Sequence, residues 1–359
     1  MKAISLFMVF LLSAALSVAQ QKDTGALAKF VQQKTDEAFV KSKVPGILVF
    51  YRDKEKPGFY TTGFSDPVTK TRFDENTFFE IGSITKTFTA YIVMCVLRDK
   101  KIADSSFILS YLPDSVQKNT ALAKIRFINL LNHTSGLPRM PDNMDVKDDD
   151  LQPYAAYDSK KLFAYLKTVQ PSDKKEYEYS NLGAALAGVL AERITGKSYA
   201  ALLDKYIFLP FKMLDKNNSI EKSVNKSQGY IDDTTKAEYW NMNVMAPAGG
   251  LKSNAREMNI YLQHMSLPAT KADAVIMDSL TSPTHSLSPV MAIGRGWHCM
   301  ALKKKPVIYW HNGGTYGFST FAAFTRNTNQ WVMVVVNHFD KNDTVSDRIG
   351  MQIMNRMTE

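Results

Sequence analysis

Residues 78–95 read FFEIGSITKTFTAYIVMC and place Ser83 and Lys86 three positions apart, where an apolar helical pattern begins. The approach to the serine is strand-like, and Gly82 permits a tight turn before a helix. On a helix, residues i and i+3 share a face, so Lys86 can reach back to the Ser83 hydroxyl. The stretch predicts a strand, a turn and a helix over 83–98, with a candidate nucleophile and base at the turn.

A helix start suits a nucleophilic serine. The free backbone N–H groups and the partial positive charge at a helix N-terminus favour an oxyanion and disfavour a second positive charge nearby. This field, together with burial, would lower the pKa of Lys86 and leave a neutral amine to act as a base. The structural alternative is that Ser83 is a helix cap and Lys86 a solvated surface residue.

The S-x-x-K pattern is a weak signal by itself because the chain contains it five times. The matches begin at Ser83, Ser115, Ser172, Ser219 and Ser223. Ser115 follows a turn-like Leu-Pro-Asp, and the last three lie in polar, lysine-rich stretches that would not exclude water. Only Ser83 combines a strand-like approach, a preceding glycine and a following helix, so we predict it to be the nucleophile.

The tripeptide Y-x-N occurs at Tyr179 and again at Tyr239. The first opens the predicted helix 181–195, so Tyr179 and Asn181 lie at a helix entrance, where side chains project beyond the helix end. The second lies in an aromatic loop with no evident scaffold. We favour the first, and its structural alternative is capping by Ser180 or Asn181 beside a packed tyrosine.

A third candidate stretch, residues 310–317, reads WHNGGTYG. Gly313 and Gly314 follow a strand that carries His311, and they would let a substrate backbone lie against the strand edge. Gly314 could then present its N–H to a carbonyl oxygen. A lone histidine in such a strand is more often a packed residue than a catalytic one.

Strand-like patterns occupy both ends of the chain, and helical spacing fills the middle. The strand-like stretches are GILVFYR and GFYTTGF near the start, then AIGRGWHCMAL, VIYWHNGG, STFAAFTRN and QWVMVVVNH after about residue 290. The predicted helices are 24–41, 83–98, 159–168, 181–195 (closed by Gly196), 198–209, 254–265 (capped by Asn254, with Glu257) and 344–357.

This order predicts an α/β (α+β) fold in which one antiparallel sheet combines both chain ends and is flanked by helices. The sheet layer would comprise 20–80 and 286–359, and a mostly helical part, 81–285, would be inserted into it. A ligand cleft is expected where the two layers meet.

The first residues resemble a secretory leader. Lys2 precedes an apolar run over 4–12, and Ser-Val-Ala ends at Ala19. We predict a signal peptide at 1–19, a single catalytic domain at 20–359 and a secreted or periplasmic location. The alternative is an uncleaved anchor. No later run reaches the length of a spanning helix, so no integral membrane segment is expected after cleavage.

Composition narrows the function classes. The 359 residues are 45% apolar and 22% charged, as in soluble globular proteins. The net charge of +9 comes from scattered lysines, without the basic stripe and interleaved aromatics of a nucleic-acid partner. Six dispersed histidines and no H-E-x-x-H predict no metal, and no cofactor is expected. Cys95 and Cys299 are predicted to be buried free thiols, although pairing stays open.

Together these motifs resemble the serine β-lactamase and penicillin-binding-protein superfamily, most closely its branch of class C β-lactamases, D,D-carboxypeptidases, D-aminopeptidases and related esterases. SITK, YSN and HNG carry the resemblance, in order with LLNHTSGLP (130–138), IFLPFKM (207–213) and PAGGLKSNAREM (247–258). The similarity covers nearly all of the chain after the leader.

The resemblance implies a role for each motif residue. Ser83 would be acylated, and Lys86 and Tyr179 would share the proton transfers. Asn181 would hold the amide of the acyl group, whereas His311 and Gly313 fall on the third motif. The N–H groups of Ser83 and Gly314 would form the oxyanion hole, and His133 would be a structural loop residue.

One departure bears on the substrate. The third motif of β-lactamases usually reads Lys-Thr-Gly, and here it begins with His311. A histidine with its ordinary pKa is mostly neutral at pH 7, so His311 is expected to help bind a carboxylate only as the pH falls. The resemblance therefore implies a peptidase or esterase acting on amide or ester substrates, such as D-amino-acid peptides derived from cell wall. The alternatives are a true β-lactamase and a penicillin-binding sensor or sink without turnover.

Overall fold

The computed structural model describes residues 25–147, 150–174, 176–213, 223–232, 234–340 and 344–359. The predicted leader at 1–19 and the S-x-x-K serine Ser219 lie outside these residues. Within the described ranges, no helix is both long enough and apolar enough to cross a membrane.

Antiparallel strands from both ends of the chain form the main sheet. The described residues contain twelve strands, four of which (β3 to β6) lie outside the main sheet. They are β1 (Gly46–Asp53), β2 (Lys56–Gly63), β3 (Phe79–Glu80), β4 (Gly229–Tyr230), β5 (Lys236–Ala237), β6 (Lys252–Ser253), β7 (His285–Ser288), β8 (Met291–Ile293), β9 (His298–Met300), β10 (Ile308–Gly314), β11 (Ser319–Thr325) and β12 (Gln330–Val336). Their order in this sheet is β2-β1-β12-β11-β10-β9-β8-β7, and β3 pairs separately with β6.

Helices cover both faces of the sheet. They are α1 (Ala26–Ser42), α2 (Thr85–Lys100), α3 (Asp114–Gln117), α4 (Phe127–Leu131), α5 (Ser159–Leu166), α6 (Asn181–Thr195), α7 (Tyr199–Leu203), α8 (Leu209–Phe211), α9 (Ala246–Gly249), α10 (Ala255–Ser266), α11 (Lys271–Thr281) and α12 (Val345–Met357). A π-helical turn joins α7 to α8. The mixed fold with a large antiparallel sheet confirms the predicted fold class.

The alternation of side chains along β12 explains the two layers. Val332 and Val334 belong to a core cluster with Ile349 of α12, whereas Trp331 and Met333 belong to the larger cluster of the helical part. Successive side chains of a strand point to opposite faces. A strand buried on both faces therefore reads as the continuous apolar run QWVMVVV.

The helix signals were accurate where a local cap fixed the boundary. Gly196 follows α6 in the left-handed region, with φ 67°. Asn254 precedes α10, and its side chain accepts a hydrogen bond from the Glu257 N–H at 2.9 Å. Ser83 differs slightly from the prediction, because it lies in a 3₁₀ turn, Gly82–Ile84, that leads into α2.

The stretch AIGRGWHCMAL was wrongly predicted as one strand. It forms two, β8 and β9, and β7 precedes them to complete a three-stranded meander. The break lies at Gly294 and Gly296, and Gly296 has φ 81° while its N–H donates to Leu131 O at 2.9 Å. This tertiary contact turns the chain toward the helical part. Cys95 and Cys299 are both buried free thiols, as predicted.

Helix α2, which carries Lys86, ends on a strained residue. Lys101 follows the helix in the left-handed region with φ 56°, where a side chain costs about 1 kcal/mol relative to glycine. We expect Lys101→Gly to raise the free energy of unfolding by about 0.5–1 kcal/mol, measured by urea denaturation.

The neighbouring Lys100 supplies the control. It is also exposed but belongs to the helix, so Lys100→Gly should lower the free energy of unfolding by about 0.5–1 kcal/mol. Changes of the same sign in both variants would contradict the strain interpretation.

Candidate active site

Ser83 and Lys86 form the centre of the candidate site. Lys86 Nζ lies 2.9 Å from Ser83 Oγ and donates to Ala248 O of α9 at 2.5 Å. Only 3% of Lys86 is exposed. Burial, above all, and the nearby charge of Arg139 hold the pKa of Lys86 well below its usual range. The amine can therefore be neutral and accept a proton from the serine.

The other described S-x-x-K serines lack this setting. Ser115 and Ser172 are exposed, and Ser223 is half-buried without a buried lysine beside it. The surface-lysine alternative for Lys86 is wrong, because the side chain is buried against Ser83 and α9.

Glycines bring the third motif against the serine turn. A Cβ on Gly82, whose φ is 50°, would lie 2.7 Å from Gly314 N, and one on Gly313 would lie 2.2 Å from Ile81 O. Contacts this short are possible only without a side chain. The end of β10 is thus in backbone contact with the turn that holds Ser83.

Tyr179 lies beside Lys86 and His133. Lys86 Nζ is 4.9 Å from the centre of the Tyr179 ring, and the imidazole of His133 lies 4.4 Å away, centre to centre. Burial raises the pKa of Tyr179 above its ordinary value, and a hydrogen bond with Ser83 acts in the opposite direction. The resting site therefore pairs a neutral amine with a protonated phenol.

The rival tyrosine has a structural role. Tyr239 donates hydrogen bonds to Phe78 O and Ser227 O, both at 2.9 Å. Its loop does have a scaffold, which the sequence did not show: Trp240 N–H donates to the buried Glu80 carboxylate at 2.6 Å. Trp240 also packs against Tyr154 and Tyr316, with ring centres 5.0 and 4.9 Å away.

Asn181 begins α6 beside Tyr179. Its backbone N–H donates to Arg139 O at 2.9 Å, and its side-chain Nδ2 lies 3.3 Å from Met140 Sδ. A thioether is a weak acceptor, so a substrate carbonyl could replace it at little cost.

His311 has no exposed surface. Its Nδ1 lies 2.6 Å from Asn312 O and is therefore the protonated nitrogen, whereas Nε2 has no hydrogen-bond partner among the described residues. Burial, above all, and the neighbouring His298 and Lys86 hold the pKa of His311 well below its usual range. Burial therefore opposes the charge that His311 was expected to gain as the pH falls.

Arg139, which directly follows the landmark LLNHTSGLP, is not among the predicted site residues. Arg139 is exposed, and its Cζ lies 5.0 Å from the centre of the Tyr179 ring. His133, in the same landmark, accepts the Ser180 N–H on Nδ1 at 3.1 Å, which fits the structural role implied for it.

Comparisons with known proteins found a family match and several relatives. The family described as Beta-lactamase matches residues 27–352. A β-lactamase of Providencia stuartii is 26% identical over 255 residues, 70% of this chain and 61% of the relative. The chain thus spans about three fifths of that protein's length. A β-lactamase of Escherichia coli K12 is 23% identical over 350 residues, 88% of this chain and 89% of the relative. An unguisins hydrolase of Aspergillus campestris is 24% identical over 311 residues, 77% of this chain and 55% of the relative.

The depressed pKa of Lys86 makes a prediction about stability. The unfolded chain binds a proton on this amine up to about pH 10.5, whereas the folded chain does not, so folding becomes more favourable as the pH rises. We expect Lys86→Met to be most stabilising, relative to wild type, at low pH. Between the pKa of Lys86 in the folded protein and about 10.5, the free energy of unfolding of wild type should approach that of Lys86→Met by up to about 1.4 kcal/mol per pH unit.

Urea denaturation of both proteins at several pH values measures this difference and cancels the other titrating groups. Lys100→Met, at an exposed lysine of the same helix, controls for the removal of a charge. A wild-type-minus-Lys86→Met difference that does not vary with pH would show that Lys86 is charged in the folded protein.

Proposed function

The chain belongs to the β-lactamase family of serine hydrolases, and we propose that it acts through an acyl-enzyme on Ser83. The observation that carries the proposal is the 2.9 Å contact between Ser83 Oγ and the buried amine of Lys86. The hydrogen bond from this amine to Ala248 O uses one N–H and leaves the lone pair for the serine proton.

Acylation follows from these positions. Ser83 Oγ attacks the substrate carbonyl carbon while its proton moves to Lys86 Nζ. The N–H groups of Ser83 and Gly314 stabilise the oxyanion, which the contact between Gly82 and Gly314 supports. When the bond to the leaving group breaks, Tyr179 gives that group a proton and regains one from Lys86.

Deacylation uses the same groups in reverse order. Water attacks the ester carbonyl and loses a proton to the Lys86 and Tyr179 pair, and Ser83 Oγ leaves and recovers its proton. Asn181 holds the acyl amide, and Gly313 keeps the strand edge open to the substrate. His311 packs near Tyr179, with ring centres 6.3 Å apart, and helps to position that side chain.

We propose that the activity is that of a peptidase or esterase of the D,D-carboxypeptidase type, with cell-wall-derived peptides as substrates. The neutral, buried His311 supports this choice, because it removes the cation that the third motif of a β-lactamase supplies.

A true β-lactamase is the second candidate, supported by the names of the Providencia and Escherichia relatives. A penicillin-binding sensor or sink would share the acylation step and lack turnover. The leader-like residues 1–19 support a secreted or periplasmic location.

Labelling tests the nucleophile. A fluorophosphonate should add one equivalent to the protein, and peptide mapping should place the adduct on Ser83. Ser83→Ala should abolish labelling, and Ser115→Ala, at an exposed S-x-x-K serine, should label like wild type. Stoichiometric labelling of Ser83→Ala would refute the assignment, and intact mass after exposure to a penicillin would separate turnover from trapping.

Kinetics test the proton path. Lys86→Ala and Tyr179→Phe should each lower kcat/KM for a hydrolysed ester by roughly 10²–10⁴, the usual effect of losing acid–base assistance. Tyr239→Phe is the control because this tyrosine contacts only backbone carbonyls by hydrogen bonds. Loss of activity in Tyr239→Phe together with full activity in Tyr179→Phe would contradict the proposed path.

A further inference from the structure

We propose that Arg139 binds a carboxylate on the leaving group of the substrate and so determines specificity, a role that rests on the proposed function. The third motif cannot supply the positive charge that such a carboxylate needs, because His311 has no exposed surface. Arg139 is exposed, and its Cζ lies 5.0 Å from the centre of the Tyr179 ring.

Arg139 is free to bind an anion. Among the described residues it forms no ion pair and no side-chain hydrogen bond, whereas Arg295 and Arg326 are paired with Asp104 and Asp278. A guanidinium without such partners has its N–H groups available for two parallel hydrogen bonds to a carboxylate.

The backbone fixes where this charge lies. Arg139 O accepts hydrogen bonds from the N–H groups of Asn181 at 2.9 Å and Leu182 at 3.3 Å, which hold the loop against the start of α6. The positive charge of Arg139 contributes to lowering the pKa of five neighbouring groups, those of Lys86, His133, Tyr154, Tyr177 and Tyr179.

The proposed chemistry indicates which part of the substrate Arg139 contacts. Tyr179 protonates the leaving group in the proposed mechanism, so that group must come within hydrogen-bond reach of the phenol. The Arg139 guanidinium, whose Cζ lies 5.0 Å from the centre of the same ring, is then within reach of a substituent on the leaving group. The matching substrate is an ester or amide whose leaving group carries a carboxylate, as the last residue of a peptide does.

Two aryl esters with one phenylacetylglycyl acyl group test this. Their leaving groups are 3-hydroxybenzoate, which is anionic, and methyl 3-hydroxybenzoate, which is neutral. Arg139→Gln should lower kcat/KM for the anionic ester by roughly 10–100-fold and change the neutral ester less than threefold. Arg139→Lys should recover part of the loss.

Arg193 provides the matched control. It is exposed, its Cζ lies 5.7 Å from the centre of the Phe163 ring, and it lies 12 residues along α6 from Asn181, roughly 18 Å away. Arg193→Gln should affect neither ester. Equal losses on both esters in Arg139→Gln, or no loss on either, would overturn the proposal.

The pH dependence separates Arg139 from His311. An arginine keeps its charge, so the ratio of kcat/KM for the two esters should stay constant between pH 5.5 and 7.5. A ratio that rises as the pH falls would assign the carboxylate to a titrating group and overturn the role of Arg139.

Binding without turnover keeps this test independent of the acyl-enzyme. Calorimetry with Ser83→Ala should show tighter binding of the anionic ester than of the neutral one, and Ser83→Ala/Arg139→Gln should remove that preference. Hydrolysis by Ser83→Ala would refute the proposed nucleophile alone. Equal binding of both esters to Ser83→Ala would refute the role of Arg139 alone.

Discussion

The burial of one lysine amine governs how the rest of the site is built. Taking an ammonium group out of water costs several kcal/mol, and a lysine in such a position tends to lose its proton. Only 3% of Lys86 is exposed, and its amine contacts Ser83 Oγ and Ala248 O. The carbonyl takes one N–H, which directs the lone pair toward the hydroxyl. Helices α2 and α9 must therefore keep a fixed distance, because a shift of either one would leave the amine or the carbonyl without its partner.

A second constraint joins the two ends of the chain. The serine turn belongs to the start of the helical part, whereas the strand that flanks it comes from the last third of the sequence. The two backbones touch at Gly82 and Gly314, and Thr320 on the neighbouring strand donates to Ile81 O at 3.0 Å. A Cβ on Gly82 would lie 2.7 Å from Gly314 N, so the first contact excludes a side chain at Gly82. The sheet made from both chain ends is thus what places an N–H of β10 beside Ser83.

Local patterns were sufficient for much of this structure and insufficient for the rest. Strand alternation, helix caps and the spacing of Ser83 and Lys86 are short-range properties, so the fold class and the arrangement of these two residues could be predicted. The burial of His311 depends on β9 and on packing against His298 and Tyr179, with ring centres 5.5 and 6.3 Å away, and no spacing encodes that. Arg139 belongs to no pattern either. Its only signal was its place directly after a family landmark.

The position of the positive charge connects these observations. A lysine at position 311 would be buried and close to Lys86, so it would bear the cost of desolvation and of repulsion between two cations. Arg139 stays hydrated, yet its Cζ and Lys86 Nζ lie 5.0 and 4.9 Å from the centre of the same Tyr179 ring. Burial keeps the base neutral, and the exposed Arg139 can meet an anionic substrate at a smaller cost in stability than a second buried cation would carry.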